Sequence, residues 1–164
     1  MEEAVFQNLE YLSLQYLLKL RSIWQGPKIG MGFTHLKTLI VGGCPELETI
    51  FSEEMIENLS CLEELRVFSC PKVKSIIMEN HLTTMLQKLT FLVLFSLPEL
   101  QTICEKVTEW TSLQVMYISN CPKLMKLPRS RSHTVRIIGK PEWWENLKDK
   151  GNINEKSKQI FLPV

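Results

Sequence analysis

One short phrase recurs four times along the chain, and this repetition limits the possible folds more than any other feature. The copies are GCPELETI (43–50), SCPKVKSI (69–76), SLPELQTI (96–103) and NCPKLMKL (120–127). Recurrence at a fixed period is the signature of proteins built from stacked units, in which each unit buries its apolar face against its neighbours. A stack of similar units is therefore expected, in place of one irregular core.

The phrase belongs to a longer frame of fifteen residues that fits five segments without a gap. The segments are LEYLSLQYLLKLRSI (9–23), LKTLIVGGCPELETI (36–50), LEELRVFSCPKVKSI (62–76), LTFLVLFSLPELQTI (89–103) and LQVMYISNCPKLMKL (113–127). Successive segments begin 27, 26, 27 and 24 residues apart, a spacing typical of leucine-rich repeats. The sequence predicts five such repeats in residues 1–128, starting near residues 6, 33, 59, 86 and 110, and then an incomplete last strand and a C-terminal cap in residues 129–164.

Alternation inside the frame predicts one β-strand per repeat. The fourth and sixth frame residues, such as Leu39 and Val41, are apolar, and alternate residues of a strand point to the same face. They should point into the stack, whereas the third, fifth and seventh residues should form the concave side. A proline lacks the N–H group that continues a ladder, so each should end its strand after the inward-facing residue before it; the four are Pro45, Pro71, Pro98 and Pro122.

The expected fold class is α/β. It is a leucine-rich-repeat solenoid shaped as a horseshoe arc, with a parallel sheet of about six strands on the concave face and short helices and loops on the convex face. Residues 52–60 predict one convex helix, because Ser52 can cap it and Met55, Ile56 and Leu59 share one side.

The last part of the chain predicts a sixth strand and a cap. Val135 and Ile137 have the spacing of the inward pair. The segment PEWWENL follows them, and solenoids need a cap that shields the last repeat. Trp143 or Trp144 is therefore expected to pack against the fifth repeat.

The chain resembles the C-terminal leucine-rich-repeat region of plant coiled-coil-type nucleotide-binding leucine-rich-repeat (NLR) disease-resistance proteins. The residues that carry the resemblance are LKTLIVGGCPELETI, LEELRVFSCPKVKSI, LQVMYISNCPKLMKLP and IIGKPEWWENLKDK with KQIFLP. The resemblance implies a role in innate immunity, in which the repeats restrain a nucleotide-switched ATPase module and sense a pathogen effector or a modified host protein (a host guardee). An intramolecular nucleotide-binding domain is a further implied partner.

Two features depart from the family pattern. The chain has no GxxxxGK[ST] phosphate loop, whose glycines and lysine are needed to cradle phosphates. Lys148 follows Leu147 where the family often has another Trp. The chain is therefore expected to be a fragment or a truncated relative that does not bind nucleotide by the family's route.

Composition and charge limit the classes of partner and the cellular compartments that this chain is expected to have. The net charge of +1 gives no field for nucleic acid, and the longest apolar run, FLVLF (91–95), is too short to span a bilayer. The acidic start MEEAVFQ differs from a basic secretory signal, and five cysteines make no even disulfide set. A cytoplasmic or nuclear protein is expected. A sequon occurs at Asn58, but so short a pattern arises often by chance, and only glycosylation there would favour an extracellular protein.

Candidate catalytic and metal-binding residues are scattered. His35, His81 and His133 occupy unrelated frame positions, and Asp149 is the only aspartate, so neither an enzyme nor a cofactor is expected. Three cysteines recur at intervals of the solenoid, not at the short spacing of zinc ligands, and are expected to be buried thiols; they are Cys44, Cys70 and Cys121. The basic stretch from Lys123 to Lys140 is interpreted as a solvated loop or as a surface for an acidic partner.

The concave face is the best candidate for a functional site. Its candidate residues include an aromatic and apolar cluster in repeats three to five, and such exposed clusters usually mark protein interfaces. The partner-binding candidates are Tyr11, Ile40, Glu64, Arg66, Phe68, Phe91, Val93, Phe95, Val115, Tyr117, Arg136 and Ile138. The sequence predicts a protein-recognition module of plant innate immunity; the alternatives are the substrate-recognition arm of a ubiquitin ligase, an extracellular receptor or inhibitor, and a non-functional fragment of a longer resistance protein.

Overall fold

Two parallel sheets make up most of the regular structure. The computed structural model describes residues 6–24, 32–77, 86–104, 110–128, 134–150, 153 and 159–164. Its elements are β1 (Tyr11–Gln15), β2 (Thr38–Gly42), β3 (Thr49–Phe51), α1 (Glu53–Ile56), β4 (Glu64–Phe68), β5 (Ser75–Ile77), β6 (Phe91–Phe95), β7 (Thr102–Cys104), β8 (Val115–Ser119), β9 (Val135–Gly139), α2 (Pro141–Asp149) and β10 (Gln159–Pro163). Within these residues, one sheet has seven strands in the order β1-β2-β4-β6-β8-β9-β10, and the other has three in the order β3-β5-β7.

The register of the seven-stranded sheet keeps the repeat frame aligned from strand to strand. Leu39 pairs with Leu65, Leu65 with Leu92, and Leu92 with Met116. All four side chains are fully buried, and each contributes roughly 1.5–3 kcal/mol by leaving water. The core is therefore a set of apolar columns that run through the stack, and the predicted leucine-rich-repeat solenoid is confirmed.

The three-stranded sheet lies after the turn of each repeat and was not predicted. The central residues of its strands, Ile50, Ile76 and Ile103, are buried. The residue before each of them is half-exposed, and these residues pair with one another, Thr49 with Ser75 and Ser75 with Thr102. Single bridges extend the ladder to both sides, Ser22 with Thr49 and Thr102 with Lys126. This second ladder ties the returning segments of neighbouring repeats together.

The predicted helix in the second repeat is present but short. It spans Glu53–Ile56, and the Ser52 hydroxyl accepts a hydrogen bond from the Met55 amide at 3.3 Å. Met55, Ile56 and Leu59 are buried. The predicted cap and apolar side are therefore confirmed.

The prediction that each proline ends its strand was wrong. The strands end at frame position 7, because the next residue has a positive φ angle; these residues are Tyr16, Gly43, Ser69, Ser96 and Asn120. The following residue, Cys44 in the second repeat, turns inward, and the Leu47 amide donates back to its carbonyl at 3.2 Å. Pro45 thus sits second in a tight turn, where its fixed φ angle fits.

The C-terminal end of the stack is closed by α2 and β10. β9 pairs with β8 so that Arg136 lies beside Val115, and β10 adds a seventh strand that was not predicted. Trp143 donates from Nε1 to the Leu124 carbonyl at 3.2 Å, which confirms that a Trp of the predicted cap packs against the fifth repeat. Trp144 is buried and stacks on Phe161, with ring centroids 4.7 Å apart.

Candidate functional site: the exposed face of the seven-stranded sheet

The parallel register arranges the outward residues of the large sheet in three rows, and this surface is called the sheet face below. Frame position 3 forms the row Tyr11, Thr38, Glu64, Phe91, Val115, Arg136 and Ile160. Position 5 forms the row Ser13, Ile40, Arg66, Val93, Tyr117, Ile138 and Leu162, and position 7 the row Gln15, Gly42, Phe68, Phe95 and Ser119. All twelve residues predicted as partner-binding lie in these rows.

An apolar strip crosses the sheet face from β6 to β10. Val93 lies beside Tyr117, Tyr117 beside Ile138, and Ile138 beside Leu162. The first three side chains are half-buried, and Leu162 is exposed. Phe95 stands at one border of the strip and is 38% exposed. A contiguous apolar surface of this kind is typical of a place where another protein surface binds.

Phe68 lies on the sheet face with its ring over Gly42. A Cβ atom on Gly42 would lie 2.1 Å from the Phe68 ring, so the ring occupies the space above this glycine. The side chain is half-buried. Gly42, which sequence reasoning did not select, therefore lets Phe68 lie flat on the sheet and sets its orientation.

The two charges in the middle of the sheet face neutralise each other. The Arg66 Nε group donates to the Glu64 carboxylate, and the guanidinium carbon lies 5.7 Å from the centre of the Phe91 ring. A cation at this distance is attracted by the ring's electrons. Glu64, Arg66 and Phe91 form one unit, which was not evident from the sequence. Arg136 places a positive charge at frame position 3 and forms no ion pair with any other described residue.

Sequence reasoning missed two residues of the sheet face, Ile160 and Leu162. They are 52% and 40% exposed, and their pairing with Arg136 and Ile138 extends the apolar strip by one strand. Phe161 between them points to the stack and contacts the core. The segment QIFLP has three consecutive apolar residues and lacks the leucine spacing of the repeat frame, so no period-2 pattern in the sequence marked these two residues.

The recurring cysteines are free and buried, as predicted. Each thiol donates to the carbonyl two residues before it: Cys44 to Gly42, Cys70 to Phe68 and Cys121 to Ser119, at 3.3–3.4 Å. Burial raises the pKa of Cys70 and of Cys121 to about 11. In the part of the chain that the structure describes, no three His, Cys, Asp or Glu side chains are grouped to hold a metal ion.

Parts of two predicted features lie outside the described residues. Arg129 and Arg131 of the basic stretch are among them, as are His81 and His133. Lys123, at the start of the stretch, pairs with the Glu99 carboxylate at 2.7 Å. None of the described helices has the length and apolar character needed to cross a membrane.

Comparison with known proteins gives consistent similarities. The family described as plant disease resistance protein RPS2-like, leucine-rich repeats, matches residues 1–71. A probable disease resistance protein of Arabidopsis thaliana is 31% identical over 147 residues, which cover 85% of this chain and 16% of that protein. A putative disease resistance protein of the same plant is 32% identical over 161 residues, covering 87% and 18%. The chain thus spans less than a fifth of the length of these relatives.

Proposed function

Because this chain belongs with the leucine-rich-repeat regions of plant disease resistance proteins, we propose that it is a protein-recognition module of plant innate immunity. It binds a protein through the sheet face and acts in the cytoplasm or nucleus, as a binding module and not as an enzyme. The partner is a pathogen effector, a host protein or a nucleotide-binding domain of the same longer protein.

The observation that carries the proposal is the apolar strip on an otherwise regular sheet. Aromatic and large aliphatic side chains are the residues that dominate protein interfaces. Tyr117 lies within the strip and Phe95 at its border, and the neutralised Glu64–Arg66 pair lies on the neighbouring strand β4. A partner that covers the strip would bury the apolar side chains next to the Glu64 and Arg66 charges, which already neutralise each other.

The experiment compares two variants that each replace one exposed apolar residue with the same charge. Phe95→Asp alters the sheet face, whereas Leu18→Asp alters a residue that is 67% exposed and lies outside the three rows. Proteins captured by the native chain from leaf extract are identified by mass spectrometry, and the partner's Kd is then measured for each purified variant.

We expect Phe95→Asp to raise the Kd at least tenfold, as loss of an anchor residue does, and Leu18→Asp to leave it unchanged. Circular dichroism and the unfolding midpoint check that both variants fold. Equal Kd values for the native chain and Phe95→Asp would refute binding through this face.

A further inference from the structure

A small cavity separates the fifth repeat from α2. It measures about 270 Å³ and lies between the turn that follows β8 and the first turns of the helix. Ile118, Pro122 and the Trp143 ring form its apolar walls, and the ring is fixed by its hydrogen bond to the Leu124 carbonyl. Because cavities for drug-sized ligands measure about 300–1,000 Å³, this one fits a smaller ligand, about the size of one amino-acid residue.

The cavity exists because pairing between strands stops early at this point. β8 is paired with β6 up to Ser119, but with β9 only up to Ile118, which lies opposite Gly139. The next residue, Lys140, begins α2 instead of continuing the strand, and its carbonyl accepts a hydrogen bond from the Trp144 amide at 3.2 Å. The helix thus takes the acceptor that a longer strand would have offered to the fifth repeat.

One backbone amide loses its partner as a result. In the four earlier repeats, the amide just after the strand donates to the carbonyl of the last residue in the next strand, at 2.8–3.0 Å. The donors are Tyr16, Gly43, Ser69 and Ser96. The equivalent backbone amide of Asn120 donates to no described residue. Since its equivalents point toward the next strand, the Asn120 N–H points into the gap between β8 and α2, where Asn120 lines the cavity.

The Ser119 side chain supplies a second unused donor. Ser119 lines the cavity and is only 8% exposed, yet its hydroxyl forms no hydrogen bond with any other residue that the structure describes. Buried polar groups in folded proteins almost always have a partner, and an unmet one destabilises the fold. A ligand that accepts a hydrogen bond from this hydroxyl would remove that cost.

The start of α2 adds positive potential beside these donors. The helix has nine residues and begins with Pro141, and no side chain caps the free N–H groups of its first turn, which attract anions. The Lys140 ammonium lies on the rim of the cavity and forms no ion pair within the described part of the chain. Glu142 places one carboxylate on the same rim, and it would repel a doubly charged phosphate more strongly than a singly charged group. A monoanion is therefore favoured.

We propose that this cavity binds a carboxylate attached to a compact apolar group, either a small free acid or the C-terminal end of a peptide. The carboxylate accepts hydrogen bonds from the Asn120 amide, the Ser119 hydroxyl and the Lys140 ammonium, and the apolar group packs against the Trp143 ring. The site lies beyond the end of the sheet face, so binding there does not require a protein partner on that face.

The experiment follows the NMR spectrum of the isotope-labelled full chain during titration with N-acetylleucine. The matched control ligand is N-acetylleucinamide, which has the same apolar group and no carboxylate. We expect saturable shifts at the Asn120 amide and at the Trp143 indole N–H. The control ligand should bind at least tenfold more weakly, because hydrogen bonds to a charged group are lost.

A short peptide that ends in leucine distinguishes the two sources of the carboxylate. It is tested with a free and with an amidated C-terminus, and only the free form should bind. Binding of the free form tighter than that of N-acetylleucine indicates that the ligand is a peptide end, and binding no tighter indicates a small free acid.

Three variants locate the site. Ser119→Ala removes the buried hydroxyl and should raise the Kd for N-acetylleucine roughly fivefold. Lys140→Gln removes an exposed charge and should raise it about two- to fivefold. Lys148→Gln is the matched control, since it removes the same charge from the last turn of α2, outside the cavity, and should leave the Kd unchanged. The unfolding midpoint checks that each variant folds, and Lys140→Gln keeps the test decisive if Ser119→Ala is unstable, because its side chain is exposed.

Four results would overturn the proposal. The first two are the absence of saturable shifts in the native chain and equal binding of N-acetylleucine and N-acetylleucinamide. The third is binding that neither Ser119→Ala nor Lys140→Gln weakens. The fourth is equal weakening by Lys140→Gln and Lys148→Gln, which would indicate a general attraction of anions to the helix.

Discussion

At the scale of single residues, the buried thiols give a direct chemical test of the fold. Cys61 and Cys104 are half-buried, whereas Cys44, Cys70 and Cys121 are buried. We expect iodoacetamide at pH 8 to modify Cys61 and Cys104 at least tenfold faster than Cys70 and Cys121, because a thiol with a pKa of about 11 is ionised to only about one part in a thousand. Burial alone should slow the reaction of Cys44. Peptide mapping by mass spectrometry measures the labelling rate of each cysteine, and equal rates at all five would contradict the burial of Cys44, Cys70 and Cys121.

The same thiols predict how stability depends on pH. The pKa of Cys70 and Cys121 is raised in the folded chain from an ordinary value near 9 to about 11. Their contribution is therefore complete below pH 9 and is lost as the pH rises through 11, up to roughly 3 kcal/mol per thiol. Urea unfolding at pH 8 and pH 10.5 tests this fall, which should be smaller in the Cys70→Ser, Cys121→Ser double variant.

The sequence could predict which side of the sheet a residue occupies, but not what its side chain contacts. Period-2 alternation placed Phe68, Glu64 and Arg66 on the sheet face correctly. The contact between Phe68 and Gly42, and the pairing of Arg66 with Glu64 above Phe91, depend on side-chain rotamers and on the strand register. Neither is encoded in a repeat pattern.

At the scale of elements, α2 closes the stack mainly through Trp144. We expect Trp144→Ala to lower the free energy of unfolding by about 3–5 kcal/mol, because a large buried ring is removed and its stack with Phe161 is lost. Trp143→Phe is the milder comparison, since it removes the hydrogen bond to Leu124, worth about 1 kcal/mol. Urea unfolding measures both, and a loss for Trp144→Ala no larger than for Trp143→Phe would show that α2 does not act as a cap.

Elements were predictable where a period or a cap was present. The strands with the full leucine frame and the Ser52-capped helix were identified from such patterns. The strands β3, β5 and β7 were missed because each has three residues, too few for alternation to stand out. The strand ends were placed wrongly because they are set by a positive φ angle at Tyr16, Ser69 and Ser96. Tyr and Ser rarely adopt such an angle, so the sequence does not indicate it.

At the scale of the whole molecule, a core of continuous columns makes central repeats more important than the first. Leu92 and Leu12 occupy the same frame position in different repeats, yet Leu92 is fully buried and Leu12 half-buried. We expect Leu92→Ala to cost about 2–5 kcal/mol and Leu12→Ala clearly less. Urea denaturation measures both, and equal losses would indicate that the first repeat is covered in solution.

The whole architecture was the most predictable level, since five gapless frames leave few ways to stack. The two ends were the least predictable. The exposed first repeat became visible only through the burial of equivalent residues, and β10 only through its pairing with β9.

The charge at frame position 11 alternates in sign from repeat to repeat, and this bears on how such a stack lengthens over evolutionary time; the residues are Lys19, Glu46, Lys72, Glu99 and Lys123. Copying one repeat in place would set Lys72 beside another lysine, or Glu99 beside another glutamate. Copying two adjacent repeats preserves the order of signs and adds a new attractive pair. Tandem duplication should therefore be tolerated best when two adjacent repeats are copied together. An array that grew in this way would show a charge pattern at frame position 11 with a period of two repeats.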